Sequence, residues 1–314
     1  MPAFSHKNSV QTEIHAITGA FGYSGKYIAR RLLAQGKTVR TLTNSVDKQN
    51  EFCDKMETFP LTFDDLLTLQ ESLTGVSVLY NTYWVRFNHQ NFRHSIAVEN
   101  TQKLFMAAKQ VGVRRIVHTS ITNPSEDSPL EYFSGKSMLE TALQESGIAH
   151  SILRPTVLFG NEDILINNIA WLLRRFPVFG VFGDGQYKLQ PIFVDDFAAL
   201  AVEQGMQTDQ RTIINAIGPE TFTYRELVEV ISQIVLGKKR MVISIPNEFG
   251  LVVSKILGLL TGDVLITKAE IMGLRQNLLY VNTLPTGLTR LTDWLTAHRN
   301  TIGKNYASEL KRRM

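Results

Sequence analysis

The sequence predicts an α/β fold: a doubly wound parallel sheet carrying a smaller, mostly helical C-terminal lobe. Three observations carry that prediction. The stretch Thr18-Gly19-Ala20-Phe21-Gly22-Tyr23-Ser24-Gly25 sets three glycines at a spacing of three between an apolar run and an amphipathic segment. Strand-like and helix-like segments then alternate through the first half of the 314 residues, and the second half turns largely helical. Parallel neighbours need a crossover connection, so such alternation implies a parallel sheet with helices on both faces.

Taken in order, Ile14–Thr18 reads as a buried strand, and 26–35 as a helix with Ile28, Ala29, Leu32 and Leu33 at helical spacing before Gly36 stops it. Thr38–Thr43 is a second strand and 77–82 a later one, with the short helix Leu66–Leu73 between them, ended by Gly75. Segment 95–110 is strongly helical, with Val98, Leu104, Phe105 and Ala108 on one face and Gly112 as its C-terminal cap. Arg115–Thr119 follows as a strand, 133–145 as a helix stopped by Gly147, and 149–153 as the next strand. In the second half, Thr223-Tyr224-Arg225-Glu226 is a capping box opening a helix lined by Leu227, Val230, Ile231 and Ile234 and closed by Gly237. Thr267-Lys268-Ala269-Glu270 is another such box, while Arg211–Ala216 and Met241–Ile245 read as strands. The expected division is a sheet domain over 12–158 to which 188–218 returns, a lobe over 159–187 and 219–298, and a tail over 299–314.

Composition narrows the class. With 44% hydrophobic residues the chain can bury one large core and a lobe beside it. A net charge of +4, dispersed along the chain, is too mild to predict a nucleic-acid partner, and Lys311-Arg312-Arg313 reads as a solvated end. The single cysteine, Cys53, excludes an intramolecular disulfide framework, fits a reducing compartment and reads as a small apolar residue. No stretch reaches the roughly 18 uninterrupted apolar residues of a membrane span. The closest, 249–260, is broken by Lys255 and reads as a packed amphipathic helix, and the first dozen residues lack the apolar core of a secretory signal. The expectation is a cytoplasmic protein that at most touches a membrane surface, is monomeric or homodimeric, and acts on a small molecule.

The glycine stretch carries the first chemistry. A strand turning tightly into a helix leaves the first helical N–H groups for an anion, and the helix dipole favours that charge. Gly19 would make the turn, Gly22 would let the backbone touch a pyrophosphate, and Gly25 would let helix and strand pack closely. The same spacing also occurs in ordinary tight turns. Tyr132 and Lys136, four apart at the start of a helix, supply the second chemistry. A cation beside a phenol stabilises the phenolate and lowers its pKa from about 10, which makes a proton donor or acceptor near neutrality. Helix surfaces also favour such pairs by chance. This pair follows strand Arg115–Thr119, and the carboxyl ends of strands are where an open parallel sheet binds ligands.

The glycine loop, the YxxxK pair and the strand ending Leu153-Arg154-Pro155 resemble the extended and atypical short-chain dehydrogenases/reductases, a family with a Rossmann-like fold. The similarity is nearest to the NAD-dependent epimerase/dehydratase-like or NmrA-like branch, which includes relatives of the complex I 39-kDa accessory subunit. Asn100, Gln190-Pro191-Ile192-Phe193-Val194-Asp195-Asp196 and Gly218-Pro219-Glu220-Thr221-Phe222-Thr223-Tyr224 support it, over about residues 12–298. The resemblance implies a nicotinamide dinucleotide held by Gly19, Phe21, Gly22, Tyr23, Gly25, Asn44, Lys48, Asp64, Asn81, Thr82, Lys136 and Pro155. Asp64 takes the place of the family's adenine-contacting acid, Tyr132 would move the substrate's proton, and Lys136 would hold the nicotinamide ribose. Ser120, with Thr122 second, would orient the substrate. Phe21 is bulky where relatives have something small, so its ring must turn from the phosphates. Sugar-nucleotide epimerases carry a longer Ser-Ser and Tyr-Gly stretch where this chain has Thr119-Ser120-Ile121-Thr122-Asn123, which weakens that reading.

NAD-preferring sites place an acid at the end of the second strand. Thr43-Asn44-Ser45 offers none, Asp47 comes late, and Arg40 and Lys48 favour a 2′-phosphate, so NADP is expected ahead of NAD. The segment 83–94 mixes aromatics and cations. Trp84, Arg86, His89 and Arg93 suit a planar or anionic substrate, or else anchor a surface loop. His89 and His94 are five apart with no partner motif, so no metal site is expected. The expected function is an NAD(P)H-dependent reduction of a carbonyl or activated double bond. The alternatives are a redox-sensing or accessory protein that binds dinucleotide without turnover, or an epimerase or dehydratase acting on a sugar nucleotide.

Overall fold

The computed structural model describes residues 13–44, 51–52, 54–90, 92–246, 258, 262–264 and 266–313. Asp47, Lys48, Cys53 and, apart from Gly258, the stretch 249–260 lie outside the described residues. Seven parallel strands form the central sheet in the order β3-β2-β1-β4-β5-β6-β11. They are β1 (Ile14–Thr18), β2 (Thr38–Thr43), β3 (Glu57–Pro60), β4 (Val76–Asn81), β5 (Arg115–Thr119), β6 (Ala149–Pro155) and β11 (Arg211–Ala216). The chain winds outward from β1 to β3, then restarts at β4 on the other side of β1. At such a switch point the connections leave in opposite directions and a crevice opens beyond the strands' carboxyl ends.

Alternation along the strands builds two cores. Ile17, Val78, Val117 and Leu153 pack beneath helices α1 (Tyr23–Ala34) and α6 (Val194–Gly205). Their immediate neighbours Ala16, Leu79, Ile116 and Ile152 face the opposite way, beneath α2 (Leu66–Leu73), α3 (His94–Gln110) and α4 (Glu131–Glu145). Successive side chains of a strand point to opposite faces, so strands buried on both faces read as continuous apolar runs. The seventh strand is fixed from below by Arg115, fully buried, which donates to the carbonyls of Gln204, Thr208 and Gln210 and to Ser151 Oγ. A guanidinium can be buried without a carboxylate when its fork of donors is met by acceptors in this way.

A third core gathers α5 (Leu165–Arg175), β8 (Val178–Phe182), α7 (Tyr224–Leu236), α8 (Lys268–Arg275) and α9 (Leu291–His298) around Ile169, Leu173, Val181, Ile231, Leu274 and Leu295. The capping boxes at Thr223 and Thr267 both form, and Gly237 closes α7 in the left-handed conformation. Three two-stranded ladders complete the lobe: β7 (Leu158–Phe159) with β10 (Ile192–Phe193), β9 (Lys188–Leu189) with β12 (Phe222–Thr223), and β8 with β13 (Met241–Ile245). Residues 299–313, expected as part of a tail, are fastened to this lobe. Ile302 is part of its core, and Asp263 accepts from Tyr306 Oη and from the first N–H groups of α10 (Glu309–Arg313). No helix among the described residues is long and apolar enough to cross a membrane.

Candidate dinucleotide-binding cleft

The loop between β1 and α1 is shaped by its own backbone. Gly19 has φ +74° and donates its N–H to Leu42 O at 2.8 Å; Gly22 N donates back to Gly19 O at 2.9 Å. A Cβ at Gly25 would lie 2.3 Å from Gly19 O, so the packing of helix on strand excludes any other residue there. A Cβ at Gly22 would lie 3.1 Å from the same oxygen, a contact that a shift of a few tenths of an ångström relieves. No side chain caps α1 at Gly22, and its first turn holds no acid. The rings of Phe21 and Tyr23 pack on the core below, so the bulk of Phe21 is turned from the helix end.

Beyond β2, β3 and β4 lies a cleft of about 520 Å³, walled by Asn44, Leu61, Phe63, Asp64, Tyr83, Ile96 and Asn100. Phe63 and Tyr83 meet at 4.9 Å between ring centres, and Asn100 Nδ2 donates to Tyr83 Oη at 3.0 Å. Leu61, Phe63, Tyr83 and Ile96 offer a flat heteroaromatic base faces to pack on, and the polar residues in the rest of the lining offer it hydrogen bonds. Asn44 and Asp64 are both exposed on that rim. Arg40 is not there. It points across to β3, where it forks onto Glu57 Oε2 at 2.8 and 2.9 Å and donates to the carbonyls of Ser72 and Thr74, at 6% exposure. The expected contact with a 2′-phosphate is thereby withdrawn for Arg40, because its donors are already committed inside the sheet.

Further along the carboxyl edge of the sheet, at β1, β4 and β5, the polar groups are already paired within the protein. Thr18 Oγ1 donates to Asn81 Oδ1 and receives the Thr82 N–H; Thr82 Oγ1 donates to Thr18 O. Asn81 is fully buried and its amide nitrogen lies 3.0 Å from His118 Nδ1, so its side chain ties strands together. Ser120, 2% exposed, donates to Glu140 Oε1 at 2.5 Å, and Glu140 also receives the guanidinium of Arg154. Thr122 is fully buried with its hydroxyl on Leu278 O, and Pro155 O accepts the Thr122 N–H.

Tyr132 and Lys136 do stand in the first turns of α4, but it is Trp84 that joins them. Its ring lies 4.3 Å from Lys136 Nζ and edge-on to Tyr132 at 5.6 Å, while His94 stacks on it at 5.7 Å. Gly135 makes the fit: a Cβ there would meet the indole at 3.1 Å. Beneath the indole, Lys136 Nζ donates to Thr119 O at 2.6 Å. Lys136 is 1% exposed, and burial pulls its pKa down to about 7 against the attraction of Glu140. Burial likewise holds His118 well below the usual imidazole range, with Lys136 adding to the effect.

The substrate candidates separate. Arg86 pairs with Glu270 of α8 at 2.6 Å, which latches the loop after β4 to the lobe. His89 stacks on Phe92, and with Arg93, Asn88, Ser95 and Glu131 it borders a second cleft of about 660 Å³. Among the described residues no group of acids, histidines and cysteines could hold a metal ion. Glu140 and His118 escaped the sequence reading, and His94 was weighed only as a metal ligand. For Glu140 a signal exists, since it shares the buried face of α4 with Phe133, Leu139 and Leu143, where a carboxylate needs a partner.

Residues 19–168 match the family model described as NAD(P)H-binding. Over 240 residues the chain is 25% identical to NADH dehydrogenase [ubiquinone] 1 alpha subcomplex subunit 9, mitochondrial, of Arabidopsis thaliana, matching 73% of this chain and 60% of that protein's length. Among solved structures it is similar to an NADPH-dependent quinone oxidoreductase from Escherichia coli complexed with NADPH, at a TM-score of 0.76 and 20% identity over 90% of this chain and 99% of the other. A UDP-N-acetylglucosamine 4-epimerase from Bacillus cereus shares the fold at a TM-score of 0.62 and 17% identity, over 88% and 99%. The glycine loop, the cleft beside it and these matches agree on an NAD(P)H-binding domain over residues 19–168, and they support a likeness to the extended short-chain dehydrogenases/reductases.

Proposed function

We propose that this protein holds an NAD(P)H molecule by its adenine and pyrophosphate and does not turn it over in the state described. One observation carries the reading: Lys136, which would hold the ribose, is buried, with its Nζ bonded to Thr119 O and the Trp84 indole 4.3 Å away. The hydroxyls that could orient a substrate, on Ser120 and Thr122, are buried and bonded to Glu140 and Leu278. The relative named as a subunit of an NADH dehydrogenase is compatible with a dinucleotide kept as part of an assembly. Asn44, with no acid beside it at the end of β2, supports NADPH ahead of NADH.

A reductase is the second reading, and the placement of Tyr132 and Lys136 at the carboxyl edge of β5 favours it. The dinucleotide would supply hydride, and Tyr132 would move a proton at its phenol oxygen. This reading requires Trp84 to swing off Lys136. Calorimetry with NADPH and NADH, beside a steady-state NADPH-oxidation screen over quinones and aldehydes, separates the two. Binding without oxidation is expected, and turnover in the unaltered protein would overturn the first reading in favour of the second.

A further inference from the structure

We propose that the outer face of the β8–β13 ladder docks on an anionic lipid bilayer. The two strands run parallel with Met241 opposite Val178 and Ile243 opposite Gly180. Phe176 precedes Val178 by two residues in extended backbone and so shares their face. On that face Met241 is 65% exposed, Phe176 42%, Ile243 41% and Val178 39%, whereas Phe179 and Val181 point into the lobe's core at 8% and 0%. Ile245 folds over Gly180, where a Cβ would meet its Cδ1 at 2.9 Å, so the strip is filled level. Neither described cleft opens on it. An apolar surface without a groove suits a lipid boundary better than the anchor side chain of a partner protein.

Cations rim the strip from three segments. Arg174 and Arg175 end α5, Lys238, Lys239 and Arg240 lie between α7 and β13, and Arg299 and Lys304 follow α9. They are drawn together by Arg240 Nε on Leu173 O and by the guanidinium groups of Arg174 and Arg175 on the carbonyls of Arg299 and Lys304. Among the described residues one ion pair involves this group, Lys239 with Glu229 at 3.9 Å. Arg174, Arg175 and Arg240 have carbonyls to bind, which accounts for them structurally. Lys238 and Lys239, both exposed, have no such role, and they run directly into exposed Met241. Exposed cations set beside exposed apolar side chains match phosphate headgroups over acyl chains.

The test is sedimentation of the full chain with vesicles of phosphatidylcholine alone and of phosphatidylcholine mixed with phosphatidylglycerol. Binding to the mixed vesicles only, weakened by salt, is expected. Lys238→Glu with Lys239→Glu should lower that binding by at least about tenfold. Met241→Ser with Ile243→Ser should weaken it at every salt concentration. Both pairs are exposed, so unchanged melting temperature and NADPH affinity serve as controls for folding. Absence of binding, equal binding to both vesicles, or binding that survives both double variants would overturn the proposal. So would a dimer that Met241→Ser with Ile243→Ser dissolves, since the face would then belong to a second copy of the chain.

Discussion

At the glycine-loop end of the cleft, backbone and rim are left available: α1 starts without a side-chain cap, and Asn44 and Asp64 stand exposed beside a cavity. Across the sheet, at the β5–α4 end, the same kinds of group are consumed. Ser120 has Glu140, Thr122 has Leu278, and Lys136 has Thr119 below and Trp84 above. Preorganised donors facing open space cost nothing further when a charged ligand arrives, whereas paired ones must first be unmade. The contrast teaches that a binding motif and a catalytic motif in one chain can be kept in different states of readiness.

The widest test of the open end is Gly22→Val. Its side chain would stand where phosphate oxygens meet the helix N–H groups, and losing two or more charge-assisted bonds should weaken NADPH by at least about 100-fold. The fold should survive, because even a Cβ there meets only one oxygen at 3.1 Å. Gly25→Ala is the converse, since its 2.3 Å clash is with backbone. A fall in stability of about 1–3 kcal/mol is expected for it in denaturant titrations. If Gly22→Val bound NADPH as tightly as the parent, the open end would not be the pyrophosphate site.

Asn44→Asp sharpens the same end. A carboxylate at the close of β2 would repel a 2′-phosphate and accept from ribose hydroxyls, shifting the NADPH-to-NADH affinity ratio by roughly tenfold or more toward NADH. Calorimetry on both cofactors measures it, and an unmoved ratio would mean that Asn44 does not face the ribose. At the closed end the corresponding change is Trp84→Ala. With the indole gone, Lys136 can donate to a ribose, so NADPH affinity should rise several-fold, by the worth of about one hydrogen bond to a charged group. Any oxidation of NADPH that appears with it should be lost again in Trp84→Ala with Tyr132→Phe. Unchanged affinity in Trp84→Ala would mean that the indole does not stand between ribose and lysine.

How far the sequence foretold these two ends follows from what holds each together. The glycine loop was legible because its constraint is local: three residues without side chains, in order, between a strand and a helix. The position of Tyr132 and Lys136 on α4 was legible for the same reason, from helical spacing. What covers Lys136 was not, since Trp84 arrives from a loop 52 residues earlier and nothing in the spacing of either segment aims it there. Arg40 was misjudged for want of a strand. β3 is short, partly exposed and without apolar alternation, so the Glu57 that takes up the guanidinium could not be placed beside it. The lobe's α5 and β8 went unread because their apolar residues are shared with partners drawn from α7 and β13, far along the chain.

The smallest expected effect tests the closed end by stability alone. Lys136 titrates at about 7 in the fold against 10.5 for an unperturbed lysine, because burial opposes its charge. Between those values the unfolded chain binds more protons than the folded one, so stability should rise as pH increases from about 7 to about 10.5 and gain nothing further below that window. Lys136→Met keeps the stem's volume and removes the titrating group, so its profile should lack that rise. At pH 9.5 the parent's melting temperature should have gained about 2 °C or more on the variant's relative to pH 7, each kcal/mol being worth about that much in a chain of this size. Other groups that ionise in this range cancel in the comparison of the two proteins. Parallel profiles would mean that the ammonium is hydrated, that Trp84 does not seal it, and that the two ends of the cleft are equally open.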